Sequence, residues 1–98
     1  MSAPDVQRIV LDGEWDLTRR EEIAALFELS DGEAPLVIDM SALQYVDSSI
    51  LHEIGRLRAA NVRRSITLAG PNRHIQRVLH IVGFDRIFTL ADSDGEMQ

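Results

Sequence analysis

Asp47-Ser48-Ser49 puts a carboxylate and two hydroxyls at the step into a stretch whose Ile50, Leu51, Ile54 and Leu57 fall on one helical face. A helix start leaves backbone N–H groups without intrahelical partners, and Asp and Ser supply the oxygens that satisfy them. Added negative charge is also best tolerated there. Two readings of the serines therefore stand side by side: helix caps worth about 1 kcal/mol, or an acceptor hydroxyl for a charged group. Asp39 and Asp47 form a carboxylate pair of the kind used for acid–base or metal chemistry, yet both also occupy common turn or cap positions. Ser48 and His52, at i and i+4, make a Ser–His nucleophile pair conceivable. No Gly-x-Ser-x-Gly elbow surrounds Ser48, and nothing evident orients a base. His74 and His80 are six apart and face differently on a helix, and there is no Gly-x-Gly-x-x-Gly and no Gly-Lys-Ser/Thr. No catalytic residue, metal or cofactor is expected, and the chain does not read as an enzyme.

These residues need elements to hold them. Val6 to Leu11 reads as a strand, followed by an Asp12-Gly13 turn. Trp15, the lone tryptophan, reads as a partly buried anchor. Thr18-Arg19-Arg20-Glu21 has the form of a capping box opening a helix to about Leu29, with Ile23, Leu26 and Phe27 inward. Leu36-Val37-Ile38 is an apolar run of the kind covered on both faces, and a short connection leads from it to the Asp-Ser-Ser helix, which ends near Ala60-Asn61. Ser65 to Gly70 alternates as a strand; Asn72 caps a helix with an Ile75, Val78, Leu79 and Val82 stripe; Gly83 closes it; Arg86 to Leu90 is a last strand-like segment. Helices alternating with strands define an α/β domain with a mostly parallel four- or five-stranded sheet and helices packed against it.

The run from Asp39-Met40-Ser41 to Val46-Asp47-Ser48-Ser49 resembles the signature of the STAS domain, the family of bacterial anti-sigma-factor antagonists. Gly13-Glu14-Trp15-Asp16-Leu17 is similar to that family's Gly-Glu-Leu-Asp turn, and Leu68 to Asn72 with Val78 to Phe84 fits its last strand–helix unit. The resemblance runs in order over roughly residues 9 to 90. It implies one STAS-like domain over residues 1–98 with a core at about 6–90, while the residues themselves read as a frayed start at Met1 to Asp5 and a polar tail at 91–98. It further implies that Ser48, the first hydroxyl after the Asp, is phosphorylated by a cognate serine kinase. Asp16, Asp39, Asp47, Ser49, Ile50 and His52 would then line the partner surface. The implied partners are a serine-kinase anti-sigma factor and a serine phosphatase. The alternative is an unphosphorylated accessory or scaffold subunit of a transporter or signalling complex, with Ile50 and His52 touching the partner directly. The chain departs from the family's Asp-Ser-Ser-Gly-Leu-Gly pattern at Ile50 and His52, is short by about one strand at its amino-terminal end, and lacks most of the usual carboxy-terminal helix.

Composition narrows the partners. The 98 residues carry a net charge of -6, which argues against nucleic acid as the main partner. Residues 1–55 hold three Arg against twelve Asp and Glu, whereas residues 56–98 hold seven Arg against four. Arg56, Arg58, Arg63, Arg64, Arg73 and Arg77 read as a solvated basic face that could pair with an acidic partner. There is no cysteine, no signal-peptide pattern and no apolar run near the ~20 residues of a membrane span, so a cytoplasmic protein without membrane insertion, monomeric or weakly dimeric, is expected.

Overall fold

The computed structural model describes residues 6–30 and 32–91. Six strands and three helices follow one another as β1 (Gln7–Val10), β2 (Gly13–Trp15), α1 (Arg20–Leu29), β3 (Leu36–Asp39), β4 (Leu43–Val46), α2 (Ser48–Ala60), β5 (Ile66–Ala69), α3 (Arg73–Ile81) and β6 (Thr89–Ala91). Single 3-10 turns at Leu17–Arg19 and Phe84–Arg86 precede α1 and β6. The main sheet has the order β1-β3-β5-β6 and every pairing in it is parallel. Parallel neighbours cannot be joined by a tight turn, so each pair is closed by a crossover carrying a helix.

One face of this sheet supplies the core. Ile9, Leu11, Leu36, Ile38, Ile66 and Leu68 are buried against Ile23 and Phe27 of α1 and Ile50, Ile54 and Leu57 of α2. Val37 and Asp39 point to the opposite face and are only half-buried, so β3 alternates and is not covered on both sides. That departs from the reading of Leu36-Val37-Ile38 as a doubly buried strand: the helices occupy one face.

The segment expected as a plain connection after β3 contains β4, which pairs in parallel with β2 to form a separate two-stranded sheet. Both strands are too short to show a period, and the register shift between Gly13 and Glu14 interrupts what pattern there is. Asn72 caps α3 through its bond from the Ile75 N–H, as the sequence indicates, and its side-chain amide also donates to the Leu43 carbonyl, tying α3 to β4. Gly83, at φ 82°, ends α3 in the left-handed conformation that glycine adopts without a Cβ penalty. Val82, expected on the inward stripe, is 44% exposed at the C-cap.

The capping box at Thr18 does not form. Asp16 takes the capping role one turn earlier: its carboxylate accepts from the Thr18 N–H and hydroxyl, and α1 begins at Arg20 without a side-chain cap. Arg64, expected on the basic solvated face, is buried; its guanidinium donates to the Ala34 carbonyl at 2.6 Å and the Gln7 side chain at 2.8 Å. It thus pins the start of β5 to the ends of β3 and β1. Ala91 belongs to β6, not to the tail; Met1 to Asp5, Asp31 and residues 92–98 lie outside the described residues.

Candidate functional site

The site is built on Asp47. Its backbone is extended (φ -102°, ψ 179°), the conformation of an N-cap, and its Oδ1 accepts from the Ile50 N–H at 3.1 Å. Its Oδ2 accepts from the Leu17 N–H at 2.9 Å, and its own N–H donates to the Trp15 carbonyl at 3.2 Å. One residue therefore caps α2 and fastens it to the turn that follows β2. Trp15 anchors that turn from below, 1% exposed, with its indole N–H on the Asp12 carbonyl and the Arg19 guanidinium 3.6 Å above its ring.

Because Asp47 fills the cap, the serines do not. Ser48 is the first residue of α2 and exposed, and Ser49 follows half-buried. Among the described residues neither hydroxyl has a hydrogen-bond partner. Of the two readings of the serines, capping is excluded by this geometry.

Leu51, His52, Gly55, Arg56 and Ala59 continue from Ser48 along α2, and Val82 and Phe84 rise opposite them from the end of α3. Between them lies a shallow, mainly apolar groove of about 440 Å³. Gly55 shapes its floor: a Cβ at this position would stand 3.4 Å from the Phe84 ring. The periodicity of α2 put Leu51 on the core face, whereas it is only half-buried and borders the groove. The sequence reading places Val82 on the inward stripe of α3 and gives no site role to Gly55, Ala59 or Phe84; the one available signal is a glycine in the middle of a long helix.

The other expected surface residues separate into two groups. His52 is exposed on the groove. Ile50 is not at the surface at all: it is 0% exposed, because the third position of α2 points into the core, so its side chain does not lie on the surface where the resemblance put it. The carboxylates are committed to the fold. Asp16 is held below the usual carboxylate range by the Thr18 hydroxyl and N–H. For Asp39, burial pushes upward, but hydrogen bonds from the Ser41 N–H and hydroxyl and from Arg8 at 3.1 Å outweigh it, and the net shift is downward. Asp39 is thus engaged by Arg8 and Ser41, and Asp47 by Leu17 and Ile50. No group of three or more His, Asp or Glu among the described residues is placed to hold a metal. No helix among them is long and apolar enough to cross a membrane.

A parallel sheet with helices on one face, opening one of those helices on an Asp-Ser-Ser step, defines a domain of the STAS type. A family model described as "Mlab, STAS domain" matches residues 2–91, and the chain belongs to that family. No curated protein matches it. STAS domains are generally regulatory and non-enzymatic, and the family includes anti-sigma factor antagonists.

Proposed function

We propose that this STAS domain is a cytoplasmic anti-sigma factor antagonist that works by partner switching. Unphosphorylated, it binds a serine-kinase anti-sigma factor and frees the sigma factor; phosphorylated on Ser48, it does not bind. The observation that carries this is the state of Ser48: exposed, first in its helix, and with its hydroxyl uncommitted because Asp47 supplies the cap. In the transfer, the Ser48 Oγ–P bond forms as the bond from the ATP γ-phosphorus to ADP breaks, and the hydroxyl proton passes to the kinase's base. A phosphoserine adds about -1.5 to -2 charges. The fold accepts that charge at a helix start, whereas a partner seated over Asp47 and Ser48 meets like charge and a desolvation cost. A serine phosphatase resets the switch.

The test is incubation of the purified protein with ATP and each serine kinase of the same genome, followed by intact mass and peptide mapping. One phosphoryl group on Ser48, absent from Ser48→Ala, is the expected result. Ser48→Asp should weaken anti-sigma factor binding at least about tenfold, or about 1.4 kcal/mol. Equal binding by Ser48→Ala and Ser48→Asp would refute the switch.

The apolar groove beside Ser48 supports a second reading, a constitutive scaffold or transporter-accessory subunit that needs no modification. Ile50 being buried, that partner would contact Leu51 and His52. Under this reading Leu51→Ala abolishes partner binding, Ser48→Asp leaves it intact, and Ser48 in protein from the native host carries no phosphate.

A further inference from the structure

We propose that His52 is the side chain that receives the phosphate of modified Ser48, folding it down along α2 across the mouth of the apolar groove; this rests on Ser48 being the modified residue. Ser48 and His52 stand at i and i+4 on α2 and line the same groove, a spacing that brings Cβ atoms to about 5–6 Å. The anion lies N-terminal to the cation, the more favourable order on a helix. His52 is exposed and, among the described residues, has no partner to give up.

Competing groups are already engaged. Arg56, the other charged side chain on the groove, sits two turns beyond Ser48, about 12 Å along the axis, and lies 3.6 Å from the buried Glu53 carboxylate. Arg20 of α1 holds the other oxygen of Glu53 at 3.0 Å. In the turn before α1, Asp16 is bound by Thr18, and Arg19 by Glu22 and the Trp15 ring. Across the groove the wall residues Val82 and Phe84 carry no charge; of the charged groups flanking them, His80 and Asp85 pair with each other at 2.6 Å, and exposed Arg86 acts on the same Asp85 carboxylate. Asp47 keeps its oxygens on Leu17 and Ile50, and its charge repels the phosphate toward His52.

The phosphate then acts twice. It adds charge at the helix start, and it occupies the groove that a partner's apolar side chain would enter. The imidazolium in turn shields it from the phosphatase.

The experiment uses the full chain carrying phosphoserine at position 48 installed by genetic code expansion or ligation, so that no kinase is needed. His52 is titrated by NMR in this protein and in the unmodified one. A nearby dianion favours the imidazolium, so the His52 midpoint should rise by about one pH unit, a tenfold shift, while His74 and His80 move little. A His52→Gln variant bearing the same phosphoserine should lose phosphate to a serine phosphatase several-fold faster. An unchanged His52 midpoint on phosphoserine-48 protein overturns the proposal. A raised midpoint combined with no kinase acting on Ser48 upholds the pairing chemistry and refutes only the regulatory reading beneath it.

Discussion

Removing the Asp47 carboxylate would orphan two backbone N–H groups at once, those of Leu17 and Ile50. Asp47→Ala should therefore cost about 1–3 kcal/mol, read as a lowered urea midpoint with an unchanged slope. Ser48→Ala, which removes an exposed hydroxyl with no partner, should stay within about 0.5 kcal/mol of the parent. A Ser48→Ala variant as unstable as Asp47→Ala would make the hydroxyl a cap and remove the basis for its availability. In the sequence the Asp-Ser-Ser step was legible as a helix start, but which of the three caps it was not. That depends on the extended backbone of Asp47, and all three side chains are good caps. Ile50 carried two readings: its period with Ile54 and Leu57 puts it on the apolar face, which is buried, whereas the resemblance puts it on the partner surface, which a fully buried side chain does not reach.

Most elements could be read from periodicity: the three helices, β1, β3 and β5 stand close to where the pattern puts them, whereas the last strand, read at Arg86 to Leu90, starts only at Thr89 because Phe84–Arg86 winds into a 3-10 turn. β2 and β4 could not, since strands of three and four residues that pair with each other carry no signal that either reveals alone. The groove belongs to the same class, because it exists only where α2 meets the turn after α3. Gly55 is its adjustable part. An alanine there gains helix propensity of up to about 1 kcal/mol and meets the Phe84 ring at ordinary contact distance. Gly55→Ala should thus fold more stably while binding its partner more weakly, since the new methyl raises the groove floor. Paired thermal melts and titrations against the anti-sigma factor check this; improved stability with undiminished affinity would place the partner elsewhere.

Among the described residues the shifted carboxylates all move the same way. Asp16 is held down by Thr18, Glu22 by Arg19 and Asp85 by His80, while in Asp39 the bonds from Ser41 and Arg8 outweigh the upward push of burial. Each takes up its proton at lower pH folded than unfolded, so the unfolded chain binds more protons as the pH falls through about 4. The stability these groups contribute is complete above that range and disappears as pH drops through their folded values. Urea midpoints should be level from pH 7 to 5 and fall steadily below about 4. Asp39→Asn, which removes the most buried of these four carboxylates, should flatten that fall; a midpoint that rises on acidification would contradict the sign. The topology has a consequence of another kind, in the order of events during synthesis. Gln7 pairs with Leu36, Leu36 with Ile66, Gly13 with Leu43 and Thr67 with Thr89, so no strand finds its neighbour nearby in the chain. A nascent chain can wind α1 early, but it cannot lay down one sheet bond until β3 has left the ribosome, and β1 waits unpaired in the meantime. This small domain should accordingly fold slowly for its length, and its aggregation hazard falls in that interval.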